Sequence, residues 1–352
     1  MIDLRSDTLT QPTNEMRRAM SMAEVGDDGR TAPGGKGEDP TVVELERIAA
    51  EITGKEDALY CNSGTMANYI SLLTHCRRGD EVLIGKDSHL YKNEQAPFLE
   101  EWGGLVPVFF KEDKQGFPDP SHVKEVLASR DIKLLCLENT HNFMGGTCLL
   151  QSQMKALCEA AHEKGVPVHL DGARIFNASI YLNLPVKEVV KDVDTLMFCL
   201  SKGLGAPVGS LLCGSREFIL LARKIRKLLG GTMRQAGIIA AAGIVALESE
   251  VERLEEDHKH AYLLAKEINE IANLGIDLEN VHTNIVKVDV SNRGFSAKEL
   301  EQELLERGLK VKSVSDKYIR LTTYNGIQEV DIYKASKIFI EGVRKLEKVP
   351  GS

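Results

Sequence analysis

The chain has 352 residues, enough for one large core and a second, smaller one, so two domains are expected. Its 43% hydrophobic and 27% charged residues are those of an ordinary soluble globule and exclude a disordered chain. A formal net charge of −8 with no basic face or tail argues against nucleic acid as a partner, and no apolar run approaches the ~18 residues of a membrane span.

The opening residues Met1-Ile2-Asp3-Leu4-Arg5-Ser6-Asp7-Thr8 are short and polar. They read as a solvated terminus, or as an arm over a site of their own or a neighbouring subunit, and a helix over 14–22 follows. Residues 26–40 are dense in glycine and predict irregular backbone; within them, 29–36 lack an apolar anchor and predict a mobile loop. An amphipathic helix starts at Thr41 and runs through 41–51. After the apolar Ala58-Leu59-Tyr60, the small residues Ser63, Gly64 and Thr65 open a helical pattern that reaches Cys76. Amides and hydroxyls at a helix N-terminus form a ready phosphate site, although a plain N-cap explains the same residues equally well.

Strand candidates at 81–84, 105–110 and 134–137 alternate with helical patterns, which implies a parallel, doubly wound sheet with right-handed crossovers. His89 sits at a strand-to-helix junction, where an imidazole can stack on a flat cofactor and carry a proton, or simply cap and pack. Glu138-Asn139-Thr140-His141-Asn142 again places polar residues just past an apolar strand, the pattern of a site built from loops on a rigid sheet. Two later strands end on chemistry. Val166-Pro167-Val168-His169-Leu170-Asp171 closes on a carboxylate suited to a protonated pyridine nitrogen, and Arg174 three residues on has the planar fork for a carboxylate or phenolic oxygen. Thr195-Leu196-Met197-Phe198-Cys199-Leu200 leads to Lys202 among small residues. A lysine held at the carboxyl end of a buried strand can lose its proton and attack an aldehyde such as pyridoxal phosphate. Any one of these features has an ordinary structural explanation; phosphate cup, ring-nitrogen partner and nucleophilic lysine in that order, each after an apolar strand, do not.

The pattern changes after Gly230. An alanine-rich segment over 236–247 predicts a closely packed buried helix, and the domain boundary is drawn there, giving 1–247 and 248–352. The smaller part reads as two-layer α+β, with a charged helical stretch over 248–272, strands over 284–290, 309–313 and 318–321, and a last amphipathic helix over 330–346. Arg320, in the alternating strand Tyr318-Ile319-Arg320-Leu321, either clamps a carboxylate or faces water. Residues 348–352 read as a frayed tail. The cysteines 61, 76, 136, 148, 158, 199 and 213 form no CxxC pair and lie mostly in apolar runs, so they read as packing in a reducing, cytoplasmic compartment rather than as disulfides or a metal site.

These stretches together resemble the low-specificity L-threonine aldolases, within the β-eliminating lyase group of fold-type-I pyridoxal-phosphate enzymes. The likeness is carried by Met1 through Thr8, Gly37-Glu38-Asp39-Pro40-Thr41, Ser63-Gly64-Thr65, Glu138 through Asn142, and the segments 169–178, 201–210 and 230–237. It implies a mostly parallel seven-stranded sheet with a small C-terminal α+β domain, and a homotetramer with sites at a dimer interface. It further implies that Lys202 forms the Schiff base, that Asp171 pairs with the ring nitrogen, and that His89 stacks on the ring. Ser63, Gly64 and Thr65 would hold the phosphate with Arg234 from a neighbouring subunit. Ser6, Arg174 and Arg320 would bind the amino acid's carboxylate, and Glu94 would serve the proton or water network.

Two departures stand out. The family places a Val-Tyr pair where this chain has the longer segment 29–36, and it carries an Ile-His-Phe-Pro-Arg-Thr-like segment whose histidine holds the substrate hydroxyl, whereas here Asp131-Ile132-Lys133 leads straight into the strand. The implied reaction is retro-aldol cleavage of an L-β-hydroxy-α-amino acid to glycine and an aldehyde. The lost histidine keeps a second reading open, β-elimination, deamination or racemisation of another amino acid. A third, a silent assembly protein, is opposed by the joint presence of Lys202, Asp171 and Arg320.

Overall fold

The computed structural model describes residues 1–32, 34–272 and 274–347. Runs such as Thr195–Cys199 are apolar throughout because the strands they form are covered on both faces. The strands in chain order are β1 (Ile2–Asp3), β2 (Asp57–Cys61), β3 (Glu81–Gly85), β4 (Val106–Phe110), β5 (Ile132–Glu138), β6 (Val168–Asp171), β7 (Thr195–Cys199), β8 (Ser210–Gly214), β9 (Ile285–Asp289), β10 (Leu309–Lys310), β11 (Lys312–Ser313) and β12 (Tyr318–Thr322). Seven of them form the central sheet in the order β2-β8-β7-β6-β5-β3-β4. Within it, β8 runs antiparallel to both neighbours and every other adjacent pair is parallel. The expected α/β class and mostly parallel seven-stranded sheet are present. β8 is the strand that alternation did not place, because no helix separates it from β7; a closed loop over 200–209 does.

The smaller sheet is antiparallel, β11-β12-β9, and packs against helices Leu254–Ala272, Ala297–Glu306 and Glu329–Glu347. The single strand expected over 309–313 is two. β10 pairs in parallel with β1, and after the buried Val311 the chain turns so that β11 pairs with β12. The partner of β10 is therefore the N-terminal arm, which is no solvated terminus. Leu4 is fully buried in the smaller core with Leu264, Val288, Ile319 and Phe339. Its carbonyl accepts from Thr322 N at 2.8 Å, and Tyr324 Oη donates to the carbonyl of Asp3 at 2.9 Å.

The glycine-dense segment is held by charge where no apolar anchor exists. Asp28 is buried against Arg226 at 2.7 Å, Lys36 pairs with Asp57 at 3.0 Å, and Thr31 and Gly37 form an antiparallel bridge. The tail expected at 348–352 lies outside the described residues. Among the described residues no helix is long and apolar enough to cross a membrane.

Candidate active site

The carboxyl ends of β2, β3, β5, β6 and β7 gather the polar residues of the large domain, and β11 and β12 face them from the smaller one. Between them lies a cleft of about 380 Å³ lined by residues that include Ser6, His89, Asn142, Arg174, Lys202 and Arg320.

Lys202 is carried on a loop whose shape is fixed from both sides. Leu200 N donates to Gly209 O at 3.0 Å, and Gly205, at φ +80°, donates from its N–H to the carbonyl of Lys202 at 2.9 Å. Gly209 has φ +111°, and a Cβ there would lie 2.5 Å from Tyr60 Oη, so the return to β8 requires glycine. On the outer side Arg253 Nη2 donates to Gly203 O at 2.7 Å.

Helix Gly64–His75 starts directly after β2 because Ser63 caps it, its Oγ accepting from Met66 N at 3.2 Å. Gly64 lies against the sheet, where a Cβ would come within 2.7 Å of Met197 Cε and 2.9 Å of Cys199 Sγ. One turn further, Asn68 is fully buried and donates through Nδ2 to Asp171 Oδ2 and to Glu94 Oε2, both at 3.0 Å. Asp171 Oδ1 accepts from Ala173 N at 3.1 Å. Glu94 also meets His89 Nδ1 at 3.3 Å and accepts from Thr65 Oγ1 at 3.5 Å. Burial works against protonated His89, but the Glu94 contact and the nearby charges of Asp171, Glu94 and Glu138 outweigh it and raise its pKa. Phe143 is stacked beside the His89 ring at 6.4 Å. Donor atoms of His89, Glu94 and Asp171 lie within 4.8 Å of one another, so this corner is rich in ligand types, and Asn68 already donates to two of them.

Glu138, at the end of β5, accepts from His89 N at 2.7 Å and Asn142 N at 2.8 Å. Burial raises its pKa and the charge of Asp171 adds to the rise. His141 beside it is buried, 3.5 Å from Glu112; burial opposes its protonation, and Glu138 and Glu112 reverse that and raise its pKa.

The carboxylate-binding candidates differ in what they have left to offer. Arg174 places Nε and Nη2 on Asp7 at 2.6 and 2.8 Å and Nη1 on Asn142 Oδ1 at 3.2 Å. Burial would raise the pKa of Asp7, but the charge and hydrogen bonds of Arg174, with help from Lys202 and Asn284, hold it at about 2. Arg320, on β12, donates from Nη1 to the same Asn142 Oδ1 at 3.1 Å and from Nη2 to Arg5 O at 3.3 Å, while its buried Nε has no hydrogen-bond partner. Burial and the neighbouring charge of Arg174 lower its pKa to about 10. Ser6 lines the cleft and caps the turn Asp7–Leu9.

Most of the residues singled out in the sequence thus converge. Arg234 does not: it is exposed, pairs with Asp27 at 3.2 Å, and is absent from the cleft lining of its own chain. Nor does any described residue of 29–36 line that cleft. Sequence reasoning missed Asp7, Asn142 as the shared acceptor of two arginines, and Asn68. Asn68 had a signal, a polar stripe of Asn68, Ser71 and His75 at i, i+3 and i+7 in an otherwise apolar helix.

The profile of the beta-eliminating lyase family matches residues 3–292. A low-specificity L-threonine aldolase of Arabidopsis thaliana is 39% identical over 99% of this chain and 98% of its own. The low specificity L-threonine aldolase of Escherichia coli (strain K12) is 42% identical over 84% of this chain and 87% of its own. Among solved structures, a Leishmania major threonine aldolase superposes with a TM-score of 0.77 at 17% identity, covering 99% of this chain and 100% of that one. A Sphingomonas wittichii serine palmitoyltransferase does so with a TM-score of 0.76 at 18%, over 99% and 88%. At such identities these two speak for the fold alone.

Proposed function

We infer the reaction from one premise, that this chain belongs to the beta-eliminating lyase family: it is a pyridoxal-phosphate-dependent lyase that cleaves threonine and allo-threonine to glycine and an aldehyde. The observation that carries the reading is the meeting of Lys202, His89 and Arg320 at one cleft, with Asp171 beside His89, from four separate segments of chain.

The residues fit the cofactor. Gly64 sits where a side chain would collide with the sheet, and the first turn of its helix carries amides that an α-helix leaves without internal partners, a suitable seat for phosphate. Ser63 and Thr65 would complete that seat, with Arg234 arriving from a neighbouring chain. Asp171 would take the ring nitrogen, the imidazole of His89 the ring face, and Lys202 the aldehyde carbon. When bound, pyridoxal phosphate supplies the electron sink that lets a bond to the α-carbon break.

The chain's own groups do the rest. Arg320, with Ser6 and the Nη1 edge of Arg174, grips the substrate carboxylate; because Asp7 occupies the fork of Arg174, the larger share falls to Arg320. That grip turns the Cα–Cβ bond to the orientation in which it breaks. His89, backed at Nδ1 by Glu94, takes the proton of the β-hydroxyl, and Lys202 carries a proton at the α-carbon. With the family's hydroxyl-binding histidine absent, one hydrogen bond fewer holds the substrate, a loss of about 1.5–3 kcal/mol, so threonine is cleaved slowly and poorly distinguished from allo-threonine.

We place the domain boundary between residues 247 and 248 and the protein in the cytoplasm, which suits its seven free, buried cysteines. A homotetramer is proposed from the family likeness, with exposed apolar residues such as Met22 and Leu228 available for contacts, and is checked by light scattering. For the reaction, the protein is incubated with threonine, allo-threonine and serine. Glycine and an aldehyde are expected; a 2-oxo acid and ammonia as sole products mean β-elimination instead.

A further inference from the structure

Behind Asp171 lies a second layer of polar groups that touches neither substrate nor cofactor. His169 and Asp171 are alternate residues of β6 and so point to the same face, onto helix Gly64–His75. Asn68 meets both. Its Nδ2 lies 3.0 Å from two carboxylate oxygens, of Asp171 and Glu94, so this end must be the donor. Its Oδ1 therefore faces His169 Nε2, also at 3.0 Å, and that nitrogen must carry the proton. His169 Nδ1 is then an acceptor, and it is met by two hydroxyls, Ser71 Oγ at 2.9 Å and Thr195 Oγ1 at 3.0 Å. Thr195 in turn meets His75 Nε2 at 3.0 Å. Each link dictates the direction of the next, and reversing the amide would set its oxygen against two carboxylates.

We propose that Asn68 and His169 are positioning residues that fix the Asp171 carboxylate as the partner of the cofactor's ring nitrogen. The proposal rests on the pyridoxal-phosphate reading above. His169 serves as a one-way donor to Asn68, and Asn68 as the shared donor that lets Asp171 and Glu94 sit side by side. Burial, with the nearby His75, lowers the pKa of His169 to about 3, so its tautomer does not alternate with a charged form at neutral pH. The Asp171 carboxylate is then held at both ends, by Asn68 at Oδ2 and by Ala173 N at Oδ1.

The test measures the dissociation constant of pyridoxal phosphate by absorbance, on the purified full-length protein, with thermal melts of the cofactor-free form alongside. Asn68→Asp replaces the donor by an acceptor of equal size, and affinity should fall at least about ten-fold. His169→Leu should weaken binding in the same direction. His169→Gln, whose amide nitrogen can occupy the place of Nε2, should recover affinity to within about three-fold of the wild type. A purely structural role would lower the melting temperature of both His169 variants without this split in affinity. Wild-type affinity in His169→Leu, or no recovery in His169→Gln, overturns the proposal; where the leucine variant fails to fold, unchanged affinity in Asn68→Asp overturns it alone. A wild-type protein that binds no pyridoxal phosphate is a different result, and it removes the cofactor reading itself.

Discussion

On the large-domain side of the cleft, every oxygen of Asp171 has a donor, Asn68 serves two carboxylates and a histidine at once, and the hydroxyl of Thr195 closes the chain of bonds behind them. Where the smaller domain meets that side, Arg174 of the large domain and Arg320 of the smaller one crowd one neutral oxygen, that of Asn142, and the buried Nε of Arg320 has no partner. Two like charges on one amide oxygen are tolerable beside Asp7 but leave a surplus of positive charge and unused donors. On the first wall the bonds around Asp171 are closed by the protein's own groups. The second wall keeps an unpaired donor that an entering anion would satisfy, which fits the proposed carboxylate site.

Breaking the junction between the walls has the largest effect. Lys202→Ala should abolish the visible band of the bound cofactor and lower turnover by at least roughly 10⁴-fold, since nucleophile and proton carrier go together. Near wild-type turnover in that variant removes Lys202 from the centre of the site.

The wall behind the cofactor should reveal itself in acid. His169 has a folded-state pKa lowered from 6.5 to about 3, so the stability it contributes is complete above 6.5 and is lost as pH falls toward 3. That gap is worth roughly 5 kcal/mol, and His75, at about 4, acts in the same direction. Asp7, lowered from 3.8 to about 2, adds a further loss below pH 3.8. Urea midpoints measured from pH 7 to pH 3 should fall steeply across this window, and a flat profile contradicts a neutral, buried His169.

On the facing wall, Arg320→Lys should raise KM for the amino acid by roughly 30-fold or more, the lower end of about 2–5 kcal/mol for a broken buried charge contact. Cofactor affinity should not move. Loss of pyridoxal phosphate at unchanged KM would transfer Arg320 to the other wall. Ser6→Ala should have the smallest effect, a few-fold rise in KM from one neutral hydrogen bond of about 0.5–1.5 kcal/mol, with kcat unaltered. A fall in kcat at constant KM would place that hydroxyl in the chemistry rather than in carboxylate binding.

The first wall was partly legible in the sequence, and of the second the arginines were but not the contacts that join them, for a physical reason. Asp171, Lys202 and Ser63 each end an apolar run, and a buried strand that stops on a polar residue announces a site within a few residues of chain. The helix expected near 14–22 is present as Asn14–Met22, capped by Thr13. Asp7, Asn142 and Arg320 meet across 135 to 313 residues of separation, and no local pattern encodes such a meeting. β8 was missed because an antiparallel strand after a closed loop breaks the alternation that located its neighbours. The segment 29–36 looked unanchored because the residues that fix its ends, Asp28 and Lys36, are charged, and their partners Arg226 and Asp57 lie outside it in the chain.

The N-terminal arm gives the molecule a particular order of assembly. Leu4 fills the core of the smaller domain and hydrogen-bonds to Thr322, so this segment finds its final partners only after more than 300 further residues exist. Contacts of such separation form late, after their loop entropy has been overcome. The Asp7 carboxylate that locks Arg174 rides on this arm. During synthesis the large sheet can close and Lys202 can reach its loop, yet the arginine pair stays unset until the last strand docks. Residues 2–7 are thus the latch that sets Arg174 once both domains are in place.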